Sequence, residues 1–118
     1  MTITRHQTGR RMSQAVAYGG LVFLAGQVDL DGPAATVGEQ TANILRRIDG
    51  LLAEAGTDKS RLLSATIWIT DMSRFNEMNE VWDAWVSPGN TPARATVEAK
   101  LAAPSYLVEI AVVAAAGA

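Results

Sequence analysis

The run from Tyr106 to Ala115, Tyr-Leu-Val-Glu-Ile-Ala-Val-Val-Ala-Ala, constrains the fold more than any other part of the chain. Its β-branched residues favour a strand, and its apolar residues stand at consecutive rather than alternate positions. A strand turns successive side chains to opposite faces of a sheet, so both faces of this one need cover. One residue breaks the run. Glu109 sits between Leu107-Val108 and Ile110-Ala111, and an ionised carboxylate left alone in apolar surroundings is strongly unfavourable. It is expected either to pair with a cation as a structural element or to border a wet cleft where chemistry uses it.

The remaining pattern supplies the other elements. Leu21 to Ala25 is a short apolar strand, and Met12 to Tyr18 reads as its hairpin partner across Gly19-Gly20. Asp31-Gly32-Pro33 marks a loop. Thr36-x-x-Glu39 is a capping box, and Thr41, Ile44, Leu45, Ile48, Leu51, Leu52 and Ala55 then recur at helical spacing, which predicts a helix over 36–55. Ile67-Trp68-Ile69 lies in a strand over 62–70. Ser73 is expected to cap a second helix, with Phe75, Met78, Val81, Trp82 and Trp85 on one side and Ser87-Pro88-Gly89 beyond its end. Residues 93–101 alternate, with Arg94, Thr96, Glu98 and Lys100 on one face.

The order ββ(β)–α–β–α–β–β, with one early strand beyond the five just read, predicts an α+β fold, a mixed six-stranded sheet with two helices on one face, in a single domain over 1–118. Two helices cover one face of the last strand. The other face is expected to be buried in a homo-oligomer.

Composition removes several functions. A 118-residue chain with 48% hydrophobic residues and a net charge of −2 lacks the basic footprint of a nucleic-acid or anionic-membrane binder. The chain has no cysteine and one histidine, His6, which argues against thiol nucleophiles and transition-metal sites. No signal peptide or membrane span is visible, and a cytoplasmic setting is expected. Phosphate-loop and Gly-x-Ser-x-Gly patterns are missing. What remains is an arginine, a carboxylate and amides, a set suited to binding a small carboxylate and managing water.

Arg94 follows Pro92 at the entry to its strand, and its permanently charged, planar guanidinium suits bidentate carboxylate recognition. If 93–101 and 106–115 form a hairpin, Arg94 pairs between Glu109 and Val113; the two residues can also meet across a subunit boundary. Asn79 lies beside Phe75 and Trp82 at the margin of the apolar helical stripe, where a plain boundary role is the alternative.

Further residues carry a resemblance. Ser13-Gln14-Ala15-Val16, Ala25-Gly26-Gln27-Val28, Gln40-Thr41, Leu52-x-x-Ala55-Gly56, Asp71-Met72, Met78-Asn79-x-Val81-Trp82, Pro92-Ala93-Arg94 and Val108-Glu109-Ile110 occur in this order. Over residues 12–115 this set resembles the RidA/YjgF family. The resemblance implies a chorismate-mutase-like trimer with three inter-subunit clefts. It also implies hydrolysis of 2-imino acids, formed from reactive enamines such as 2-aminoacrylate, to 2-keto acids and ammonia, a detoxifying deaminase activity without a cofactor or metal.

At matching positions Arg94 would clamp the substrate carboxylate, helped by the backbone N–H near Thr96. Glu109 would hold or polarise the attacking water, and Asn79 would line the site with Met12, Ala25 and Gly26. Two positions depart from the family pattern: Ala25 replaces a serine, and Arg11-Met12 replaces Pro-Tyr, which adds a cation near the expected mouth. These departures keep open a trimer that binds small carboxylates without catalysis, as a sensor or a partner-stabilising protein. A ribonuclease reading, attached to parts of the family, is opposed by the acidic balance and the lone terminal histidine.

Overall fold

The computed structural model describes residues 1–117; Ala118, the last residue of the expected domain, lies outside them. The chain runs through β1 (Thr4–Thr8), β2 (Ser13–Tyr18), β3 (Leu21–Leu24), α1 (Val37–Glu54), β4 (Leu62–Ile69), α2 (Phe75–Trp85), β5 (Ala93–Glu98) and β6 (Val108–Ala115). The strands form one sheet in the order β1-β2-β3-β6-β4-β5, antiparallel except for the parallel pair β4 and β5.

The expected α+β architecture is present, and the apolar run 108–115 occupies the interior of the sheet between β3 and β4. Gly19 and Gly20, both at positive φ, close the β2–β3 hairpin as a two-residue turn. Thr36 caps α1, its hydroxyl accepting from the Glu39 N–H at 3.2 Å. The apolar stripe of α1 then packs on β6 and β3, burying Ile44, Leu45, Ile48 and Leu52 against Val22, Ile67, Ile110 and Val112. Burying one such side chain contributes about 1.5–3 kcal/mol. No described helix is long and apolar enough to cross a membrane.

Two expectations need correction. Ser73 does not cap the second helix. Asp71 instead caps a 3-10 turn at Met72–Arg74 by accepting from the Ser73 N–H, and α2 begins at Phe75 without a side-chain cap. Nor do β5 and β6 pair, because β4 lies between them. The crossover through α2 lays β5 parallel beside β4, which leaves the other side of β4 to β6. The connection returning to β6 is fastened by Gln40, a fully buried residue of α1. Its Nε2 donates to the carbonyls of Ala34 and Ser105 at 2.8 Å, and its Oε1 accepts from the Leu107 N–H at 2.9 Å.

Both helices lie on one face. On the other face β6 presents Glu109, Ala111, Val113 and Ala115, β4 presents Thr66 and Trp68, and β3 presents Phe23. Phe23 is 43% exposed in a single copy and Val97 of β5 is 45% exposed.

Candidate functional site

Glu109 pairs across the ladder with Trp68 on the open face. On its other side β3 departs from regular pairing. Phe23 pairs with Val113 and Gln27 with Ile110, so Ala25 and Gly26 together face Ala111, as in a β-bulge. The bulge brings Gly26 against the Glu109 side chain. A Cβ added at Gly26 would overlap the carboxylate and lie 2.9 Å from its Cδ. An added side chain would therefore displace the carboxylate, and the missing one makes the notch in which the carboxylate sits.

Ala25 is anchored by its N–H to the Gln14 carbonyl at 2.9 Å, and Met12, 56% exposed, precedes β2 at the same end of the sheet. Gln27, just past the bulge, is 2% exposed and donates to Gln14 Oε1 at 2.9 Å and to the Ala25 carbonyl at 3.0 Å. These bonds fix the bulge in place.

Arg94 belongs to a second group. It pairs with Ala65 and Thr96 pairs with Ile67, whose side chains are buried under the helices, so both face the helical side. The Arg94 guanidinium carbon lies 5.7 Å from the Phe75 ring centre and 5.3 Å from that of Trp82. Such contacts contribute about 0.5–2 kcal/mol each, depending on desolvation. Asn79 stands between those two aromatics on the same face of α2. Asn79 Oδ1 and Thr96 Oγ1 are both buried with no hydrogen-bond partner among the described residues.

The β5 strand is an edge. The Ala99 N–H turns inward to the Ile69 carbonyl, so by ladder alternation the N–H groups of Arg94 and Thr96 turn outward.

The predicted residues thus fall into two clusters, Met12, Ala25, Gly26 and Glu109 on the open face, and Arg94, Thr96 and Asn79 at the β5 edge beneath α2. Within one copy they do not meet. Two strand spacings separate β6 from β5, about 10 Å, and Arg94 is three residues along from the level of Glu109, about 10 Å more. They also point to opposite sides of the sheet. Neither residue has an ion-pair partner among the described residues, where the pairs are His6–Glu54 at 3.3 Å and Arg74–Glu77 at 3.8 Å.

Clefts within a single copy lie elsewhere, among them one of about 240 Å³ bounded by Thr36, Asp71 and Glu77 and one of about 400 Å³ bounded by Lys100, Pro104 and Tyr106.

Three features of this geometry were missed in the sequence. The Ala25–Gly26 bulge had a partial signal in Gly26, which reads in the sequence as lying just past the strand rather than as marking a bulge or a close approach. The stacking of Phe75 and Trp82 on Arg94 had a partial one, because Asn79 was already placed beside both. Gln27 and Gln40 entered only as motif residues of the resemblance, and their burial carries no signal in the sequence.

A single mixed sheet with two helices on one face and a half-apolar second face defines a small α+β protein. A family model described as Endoribonuclease L-PSP matches residues 2–116. A RutC family protein from Haemophilus ducreyi is 44% identical over 113 residues, 96% of either chain. The RutC family protein YoaB of Escherichia coli K12 is 44% identical over 116 residues, 98% of this chain and 99% of that one. The crystal structure of NMB1025 from Neisseria meningitidis, a member of the YjgF protein family, superposes with a TM-score of 0.96 at 49% identity, over 100% of this chain and 98% of that one. The chain belongs to the RidA/YjgF family.

Proposed function

We propose that the protein is an enamine/imine deaminase that hydrolyses 2-imino acids to 2-keto acids and ammonia in clefts shared by the copies of a homotrimer. The observation that carries this reading is the separation of Glu109 from Arg94, each uncommitted in its own copy and on opposite sides of the sheet. A site that uses both needs the Glu109 face of one copy against the β5 edge of another. The half-apolar face around Phe23, Trp68 and Val113 supplies the surface for that contact.

In such a cleft Arg94 grips the substrate carboxylate with two parallel N–H bonds, supplemented by the outward N–H of Thr96. Asn79 lines the wall beside it. Glu109, held in the Gly26 notch, orients a water toward the imine carbon and takes a proton from it as the bond forms. Glu109 passes that proton to the imine nitrogen, then takes the hydroxyl proton of the tetrahedral intermediate and delivers it to the same nitrogen as the C–N bond breaks, so that the C=O forms and ammonia leaves. The imine carbon is already electrophilic, so orientation and proton transfer account for most of the required assistance. Met12 and Ala25 border the carboxylate end of the cleft and bear on which side chains it admits.

The test is ammonia release while an amino-acid oxidase generates imines in the assay. The native protein accelerates release and Arg94→Ala does not; equal rates for the two would overturn the role of Arg94. The family description also carries the word endoribonuclease. Net charge −2 and a lone histidine bonded to Glu54 on β1, away from both clusters, oppose an RNA-cleaving reading here.

A further inference from the structure

Arg94 carries a full positive charge, is half-buried, and has no carboxylate partner among the described residues. Its surroundings explain how that state is kept. Two acids on the elements that flank it, Glu98 on β5 and Glu77 on α2, are engaged elsewhere. Glu98 shares its face of β5, but its carboxylate accepts the Met72 N–H at 2.9 Å. Glu77, on α2, accepts the Gly38 N–H at 2.7 Å at the start of α1 and faces Arg74 at 3.8 Å. What contacts the guanidinium is a pair of aromatic rings, Phe75 and Trp82, two helical turns apart.

A ring stabilises a cation through its face, and the guanidinium donates hydrogen bonds only in its own plane. An arginine held over aromatic rings therefore keeps its N–H donors available, whereas one held by a carboxylate has them used. Resting on the proposed role of Arg94 as carboxylate clamp, we infer that Phe75 and Trp82 are positioning residues that hold the guanidinium pre-oriented and unpaired for the substrate carboxylate. Trp82 is 5% exposed and is itself fixed by the core and by Trp85, whose ring centre lies 5.4 Å away. The shelf is consequently rigid, and rigidity lowers the entropy lost when the substrate binds.

The test measures the dissociation constant of 2-oxobutanoate by calorimetry, together with KM and kcat for imine hydrolysis, on the assembled protein. Phe75→Leu and Trp82→Leu are expected to weaken binding and raise KM by about tenfold, while kcat stays within about twofold of native. Phe75→Tyr and Trp82→Phe, which keep a ring face, are expected to restore native binding. Phe75 is only half-buried, so Phe75→Leu gives a folded variant even where Trp82→Leu does not.

Unchanged binding in folded Phe75→Leu would overturn the inference. Loss that follows thermal stability and is not restored by the ring-retaining variants would do the same. Arg94→Ala separates the two levels of the argument. If it binds 2-oxobutanoate as native does, the clamp itself is wrong; if it loses binding while the leucine variants keep it, only the aromatic shelf is wrong.

Discussion

Glu109 and Gly26 act as one unit at the scale of single residues. The carboxylate occupies space that any side chain at Gly26 would fill, and Gly26 is exposed, so Gly26→Ala is expected to leave the fold intact while displacing the carboxylate. Hydrolysis should fall in that variant with little change in the urea midpoint. Glu109→Gln keeps the shape but removes the base, and kcat is expected to drop by about 100-fold or more at a nearly constant KM. On the proposed role, Arg94→Ala removes a charge-assisted bidentate contact of about 1.5–3 kcal/mol and is expected to lower kcat/KM by about 10- to 100-fold. Arg94→Lys restores little of this, since an ammonium cannot reproduce the planar fork. Steady-state kinetics on the four variants distinguish these outcomes, and a drop in kcat alone for Arg94→Ala would contradict a binding role.

Among the elements, the loop returning from β5 to β6 depends on Gln40, which bonds three backbone groups from a fully buried position. Gln40→Ala leaves those groups unpaired and is expected to cost about 1–3 kcal/mol for each one left dry, read as a fall in the urea midpoint. Asp71 gives a pH signature. The Ser73 hydroxyl and then the Ser73 N–H bond its charged form and hold its carboxyl below the ordinary value of 3.8. That stabilisation is present above the ordinary carboxylate range and is lost as pH falls through the folded-state value. The advantage of the native protein over Asp71→Ala should therefore shrink below about pH 4, and a gap independent of pH would refute the assignment.

The elements also show what a sequence can reveal. The interior placement of 108–115 follows from apolar residues at consecutive positions, and α1 from a stripe with a capping box. The neighbour of β6 does not follow, because chain order favours the β5 hairpin and only the α2 crossover puts β4 between them. Glu109 stands out because its own strand rejects it. Arg94 stands out only through resemblance, since its aromatic shelf comes from a helix and is not encoded in the strand.

The molecule as a whole leaves one sheet face uncovered and two half-sites apart. Phe23→Asp places a charge on that face and is expected to yield monomers that keep native far-UV circular dichroism and lose hydrolysis together with assembly. A fully assembled, active Phe23→Asp protein would contradict the use of this face. Complementation between inactive variants tests the shared site most directly. Arg94→Ala and Glu109→Gln are unfolded together in equal amounts, refolded and assayed for imine hydrolysis. If each cleft takes Arg94 from one copy and Glu109 from another, about a quarter of the clefts in the mixed trimers hold both native residues, and activity returns to about a quarter of native. If mixed trimers form and activity stays at the level of the separate variants, the two residues do not serve one site across copies.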